Sequence, residues 1–227
     1  MPITAKSIIQ RVVETANDKT SVHWSVNELV RYLNDGMREI AMLRPEAFSV
    51  TKTFVAAAGA AQTLTAGGIK LIDVPHNGTS AAPGTAIHKC EKRELDNVNS
   101  AWLTKTAVAA AVNWAPNETD PKKFWLYPPM IASSNVTIVS CDEPTDVNEA
   151  TDYTTFADLP TTALPIQVQH ANALGDYILF RQYSKDSSDA GNMARAGNHL
   201  TLFGNALGVD KATTLALAQV TRTPRAA

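Results

Sequence analysis

The side chains with most chemistry to offer lie in the middle of the chain. His88 and Cys90 stand two residues apart in a stretch of β-forming residues, so both point to one strand face and make half a metal site. A structural zinc takes four ligands, and no second pair at ligand spacing accompanies them. A strand with one semi-polar face is the better reading. Asp142, Glu143, Asp146, Glu149 and Asp152 could in principle hold calcium, but they lack the Asp-x-Asp-x-Asp-Gly register and read as a solvated loop. A carboxylate pair for glycoside cleavage could come from that cluster or from Glu91 and Glu94, at a separation that sequence does not give. Gly67-Gly68 leads into Ile69-Lys70 rather than the Gly-Lys-Ser/Thr of a phosphate loop, and there is no Gly-x-Ser-x-Gly elbow. His23, His76, His170 and His199 are isolated. The expectation is a chain without catalytic residues, cofactor or metal.

Asp120-Pro-Lys-Lys-Phe-Trp-Leu-Tyr-Pro-Pro129 sets three aromatics and three prolines in ten residues of a chain that is 7% aromatic. Strand alternation sends Phe124 and Leu126 one way and Trp125 and Tyr127 the other. Pro128-Pro129 removes two donors and is expected to end the strand. One pair then fills a β core, while Trp125 and Tyr127 cover a seam with the helices or a neighbouring subunit, in preference to lining a ligand pocket.

The elements that carry these residues are helical at the two ends of the chain and β in between. Ser25 with Glu28 forms a capping-box pattern, and Val26, Leu29, Val30, Leu33, Met37 and Ile40 make one apolar stripe up to Pro45. A shorter helix is expected from Ala5 to Ala16 on Ile8, Ile9, Val12 and Val13. Phe48 to Val55, Ile69 to Val74, Thr85 to Cys90, Phe124 to Tyr127 and Val136 to Cys141 read as short strands between Gly, Pro, Asn and Asp clusters. Helix returns at Pro165 and runs to Lys185, apolar on nearly every side from Leu174 onward. Asp189 opens a last helix carrying Met193, Ala196, Leu200, Phe203 and Leu207 on one face. Gly197 and Gly204 beside them predict close approach by a neighbouring helix. The fold class is therefore α+β: a four-helix bundle built from residues 1–46 and 160–208, an inserted antiparallel β region at 47–159, and an extended tail at 209–227.

With 227 residues, 44% hydrophobic and 19% charged, the chain can bury a sizeable core. Its formal charge of -2, without blocks of like charge, argues against binding nucleic acid through phosphates. No segment resembles a secretory signal or a membrane span, which predicts a cytosol-like compartment with Cys90 and Cys141 as thiols.

A set of landmarks runs in order along the chain. Trp24-Ser-Val-Asn-Glu-Leu-Val-Arg-Tyr-Leu-Asn-Asp-Gly36 and Leu43-Arg-Pro-Glu-Ala47 come first, then Gln62-Thr-Leu64, Leu71-Ile-Asp-Val74, Asn77 and Trp102. Asp120-Pro, Phe124-Trp-Leu-Tyr-Pro-Pro129 and Tyr177-Ile-Leu-Phe-Arg-Gln-Tyr-Ser-Lys-Asp186 follow, leading to Asn192 and Phe203. This order resembles the head-to-tail adaptor proteins of tailed, particularly short-tailed, bacteriophages. The resemblance implies a virion protein without catalysis, made in the host bacterial cytoplasm. It also implies a homo-oligomeric ring, typically of twelve copies, between portal and tail nozzle or tube, with fibres nearby and DNA passing through the lumen without specific binding. On this reading Arg222 and Arg225 of the tail are candidate portal contacts, and Trp125 and Tyr127 a candidate subunit or tail interface. The rival readings are a small glycan hydrolase using carboxylates of the β region and a module stacking a ligand on Trp125 and Tyr127.

Overall fold

The computed structural model describes residues 3–18, 20, 22–186 and 189–209. It is mixed α+β and divides into two compact units, one from Met1–Ala47 and Pro144–Ala227, the other from Phe48–Glu143.

In the first unit, α1 (Ala5–Thr15) is capped reciprocally by Thr4 and Ser7 and buries Ile8, Ile9, Val12 and Val13 as its spacing predicts. The Asp18 carboxylate then accepts the backbone N–H groups of Val22, His23 and Trp24, so the turn into the next helix is closed by one side chain. In α2 (Val26–Leu43), Ser25 Oγ accepts from the Glu28 N–H at 3.3 Å. The expected reciprocal bond is absent: Glu28 instead accepts from Tyr32 Oη and Lys185 Nζ, each at 2.6 Å. Charge-assisted partners are stronger than a neutral backbone donor.

The third long helix starts later than its sequence pattern predicts. Residues 165–167 are not helical, because the Gln167 N–H donates to Ala47 O (3.2 Å) and its Nε2 to Glu46 O (3.0 Å). A 3-10 turn at Val168–His170 leads into α4 (Ala171–Lys185). This helix packs against α1, α2 and α5 (Ala190–Ala206), which explains an apolar pattern without a single stripe. Asp189 caps α5 as expected.

The glycine expectation fails at Gly197, where a Cβ would meet nothing within 4 Å. The close helix approach is at Gly36, whose Cβ would lie 2.7 Å from Leu174 Cδ1 and 2.8 Å from Tyr177 Cδ1. Residues 144–159, grouped with the β region from sequence, pack within the helical unit. There the amide of the fully buried Asn34 both donates to and accepts from the Val147 backbone at 2.9 Å, and Asn27 accepts from the Tyr153 N–H.

The second unit contains two four-stranded sheets. One has the order β1-β8-β3-β4, from Ser49–Val55, Asn135–Asp142, Gly68–Gly78 and Pro83–Ala86. The other has the order β2-β7-β6-β5, from Gly59–Thr63, Lys123–Met130, Asn113–Pro116 and His88–Lys89. All pairings are antiparallel except β5 with β6. Phe54, Leu71, Val74, Trp114, Phe124, Leu126, Val136 and Ile138 form the main core.

Pro128-Pro129 does not end β7, which continues to Met130. Prolines lose a donor but keep an acceptor, and here the Tyr127 and Pro129 carbonyls accept from Val112 and Val108. Strands β2 and β6, together with α3 (Lys92–Val98), are elements that the strand patterning does not predict.

Candidate assembly surfaces

Within the β unit, Trp125 and Tyr127 lie on the face of β7 opposite Phe124 and Leu126, as alternation requires. They are half-buried against a second small cluster of Ala60, Leu95, Trp102 and Ala115. Trp102, fully buried, meets the Tyr127 ring edge-on at 6.2 Å and donates from Nε1 to Asp96 at 2.8 Å. Lys92 and Lys105 sit over the Trp125 and Tyr127 rings at 5.7 and 5.2 Å, and Lys105 also donates to Tyr127 Oη. The two aromatics are therefore covered by α3 and the 3-10 turn Trp102–Thr104. That covering layer itself exposes Val98 and Leu103, and the segment that follows exposes Val108 and Val112.

The residues singled out for catalysis or metal binding are engaged in structure. His88 is exposed, while Cys90 Sγ donates to Trp114 O at 3.5 Å. Burial, then the Glu94 charge, pushes that thiol up from its ordinary range, away from the thiolate a metal needs. Glu94 accepts the Glu91 N–H and so closes the start of α3. The acidic cluster is divided between the units. Asp142 accepts Lys52 Nζ at 2.6 and 2.7 Å in the β unit, whereas in the helical unit Asp146 pairs with Arg38 and Glu149 with Asn34. Among the described residues, no group of three or more His, Cys, Asp or Glu is placed to hold a metal ion.

The helical unit exposes Val22, Met42, Val168, Met193 and Leu202, and it also carries a groove lined by ions. Arg31, Asp35, Arg38, Asp146, Asn148 and Glu149 line an open polar groove in which Arg38 meets both Asp35 and Asp146. Arg181 joins α4 to α2, donating to Tyr177 Oη at 3.0 Å, lying 3.7 Å from Asp35 and stacking over Tyr32.

At the end of α5 the chain is held by Arg44. Its guanidinium donates to the carbonyls of Leu207 and Gly208, and Gly208 has φ of 63°. The left-handed backbone favours glycine there, while a Cβ at Gly208 would stand 2.7 Å from Arg44 Nη2 and ask only that the end of that flexible side chain shift. Burial, followed by the Arg44 charge, holds nearby His170 below the usual histidine range. Arg222 and Arg225 lie outside the described residues.

The model of the family described as SU10 adaptor protein matches residues 3–225. The chain belongs to the SU10 adaptor protein family. Membership makes it a bacteriophage adaptor and a structural component of the virion. Among curated proteins none matches the sequence. No helix among the described residues is long and apolar enough to cross a membrane.

In this adaptor the ordered landmarks acquire physical roles. Asn34 pins the returning 147 segment, and Gly36 admits α4. Arg44 holds the end of α5. Gln62 closes its own turn on Ala57 and Gly59. Asn77 pairs with the N–H and C=O of Ala111 at 2.8 and 2.7 Å. The individual roles of Arg44 and Asn77 were not read from sequence, because their partners lie 163 and 34 positions away.

Proposed function

We propose that this chain is the head-to-tail connector of a short-tailed bacteriophage. In this reading its copies close into a ring, typically of twelve, that docks beneath the portal, joins the capsid to the tail and continues the DNA channel. The family match over residues 3–225 is the observation that carries the reading. Exposed apolar side chains on the β unit are what a subunit with partners would keep, and a head-to-tail interface that closes makes a ring. Near-balanced charge suits a lumen through which DNA must slide, since a strongly basic wall would retain it. The four long helices act as one bundle that, with Arg222 and Arg225 of the tail, faces the portal. The β unit faces the next tail component or fibres, with Trp125 and Tyr127 supporting that interface from beneath α3. Such a role needs no catalysis, cofactor or metal, and the pairing of Asp142 with Lys52 and the capping role of Glu94 weigh against a carboxylate hydrolase.

Electron microscopy of the purified chain, alone and with the portal ring of the same virus, tests the assignment. A ring on the portal is expected; a dispersed monomer in both conditions overturns it. Replacing Arg222 and Arg225 by Glu should abolish portal binding while leaving the fold intact. Unchanged binding would remove the tail from the interface.

A further inference from the structure

An edge strand leaves half of its main-chain groups without a ladder partner, and the edges of the two sheets are guarded unequally. β5 has only two residues. β2 breaks register between Gly59 and Ala61. β4 begins at Pro83, breaks register against β3, and gives the Thr85 carbonyl to the Asn77 amide at 3.1 Å. β1 has none of these guards: all seven of its residues pair with β8 without a break, and it contains neither glycine nor proline. A lysine can protect an edge, but Lys52, the one charged residue of β1, turns its Nζ to Asp142 at 2.6 and 2.7 Å. Val50, Thr51, Thr53 and Val55 are exposed and β-branched.

The direction of the unpaired groups follows from the end of the ladder. Val55 lies opposite Asn135, and the next residue, Ala56, donates its N–H to Ser134 O at 2.8 Å. Alternation then turns the main chain of Phe54, Lys52 and Val50 toward β8, and that of Thr51, Thr53 and Val55 outward. Among the described residues nothing pairs with the outward main chain of Thr51 or Thr53, and the bond from the Ser80 N–H to Thr53 uses Oγ1. The strand is also symmetric in character about Lys52, which Thr51 and Thr53 flank, with apolar Val50 and Phe54 outside them. An antiparallel copy centred on the same lysine sets Thr51 opposite the partner's Thr53 and Val50 opposite the partner's Phe54. Both members of each threonine pair point their main chain across the seam, so each pair can exchange N–H and C=O bonds. A shift by one residue would set an outward residue against an inward one.

We infer that β1 is a docking edge for a second copy of this chain, the two β1 strands pairing antiparallel about Lys52 and joining two four-stranded sheets into one. Threonine facing threonine is a favourable cross-strand pair. Val50, 45% exposed, gains an apolar neighbour across the seam. The two central lysines meet with their charges already held by Asp142, so the like-charge penalty of a bare pair is reduced. A two-fold contact closes at two copies, which makes this pair a form of the free chain and not the contact that repeats around a ring. The inference therefore does not depend on the connector reading.

Sedimentation of the full chain over a concentration series tests the edge, and two double variants test the register. Thr51→Glu with Thr53→Lys sets opposite charges across the seam at both threonine pairs, whereas Thr51→Lys with Thr53→Lys sets like charges there. Both variants lose the bond from Ser80 to Thr53 Oγ1, so its effect on the fold is shared. The unaltered chain should form a dimer as concentration rises. The like-charged variant should have a dimer dissociation constant at least about tenfold above that of the oppositely charged one. Thr53→Pro, which removes an outward N–H and no bond to β8, should abolish the dimer. A chain that stays monomeric at every concentration, or that forms only larger rings, overturns the inference. Double variants that associate equally overturn it as well, by placing the contact elsewhere. A dimer of the expected register that binds no portal would uphold it while removing the connector reading.

Discussion

Each unit buries an asparagine whose amide bonds to both the N–H and the C=O of a distant residue, yet the surroundings of the two differ. Asn34 stands among the apolar residues of α2 and holds Val147, in a unit where α4 is covered on several sides and the nearby groove is lined by ions. Asn77 holds Ala111 in a unit whose apolar residues are divided between the space within the sheets and a thin outer layer over Trp125 and Tyr127. Val50, Val55, Val98, Leu103, Val108, Val112 and Ile131 remain exposed there. Helices crossing at Gly36 close their own core. A short sheet has two faces and needs a layer for each, and here the second layer is small and presents apolar groups to its surroundings.

The difference can be broken or sharpened by substitution. Phe124→Ala empties the main β core and should cost about 3–5 kcal/mol, read as unfolding of the β unit while hydrogen exchange in α2 and α4 stays slow. Equal loss in both units would mean that they do not differ in stability as their cores suggest. Asn34→Ala and Asn77→Ala each strand a buried backbone N–H and C=O, at about 1–3 kcal/mol per group. Exchange should quicken around Val147 in one and around Ala111 in the other, and a variant without local effect would show that its asparagine pins nothing. Gly36→Ala should destabilise by about 1–3 kcal/mol through overpacking. Gly197→Ala, in a chain ending at Val209, should gain about 1 kcal/mol, and thermal unfolding separates the two signs.

The smallest effect concerns pH. Burial raises the Glu28 carboxyl, but bonds from Lys185 and Tyr32 outweigh it and hold the group below 4.5, so its contribution is present above that value and lost as pH falls through the folded pKa. Burial raises Glu39, only partly offset by the Arg181 charge, so its contribution is full below 4.5 and lost as pH rises through the folded pKa. Glu28→Gln should flatten the acid limb of the stability curve and Glu39→Gln the limb above it, each by at most about 1 kcal/mol. Exchange of the two effects would contradict the assigned partners.

The helices were legible because their signals are local. A stripe at steps of three and four, a Ser25 cap and Pro45 lie within one element and need no partner to be read. Alternation in Phe124 to Tyr127 separated the two faces of β7 for the same reason. What failed depended on distant groups: Gln167 tied to Ala47 delays α4, Glu28 turns to Lys185 rather than to Ser25, and the carbonyls of Tyr127 and Pro129 find donors that let β7 run through its prolines. Strands β2 (Gly-Ala-Ala-Gln-Thr) and β6 (Asn-Trp-Ala-Pro) are short and hold few β-branched or aromatic residues, so their membership of a sheet comes from their neighbours.

The same division applies to function. Sequence alone determined an α+β chain with clear helix signals, near-neutral charge and no local catalytic motif, and the order of its landmarks pointed to the adaptor family. Only tertiary structure decided that Trp125 and Tyr127 lie beneath α3, that Arg44 holds the end of α5, and that the tight glycine is Gly36 while Gly197 is bare. Burial, close approach and the pairing of a polar group are properties of two segments at once, and the spacing of residues along one segment does not contain them.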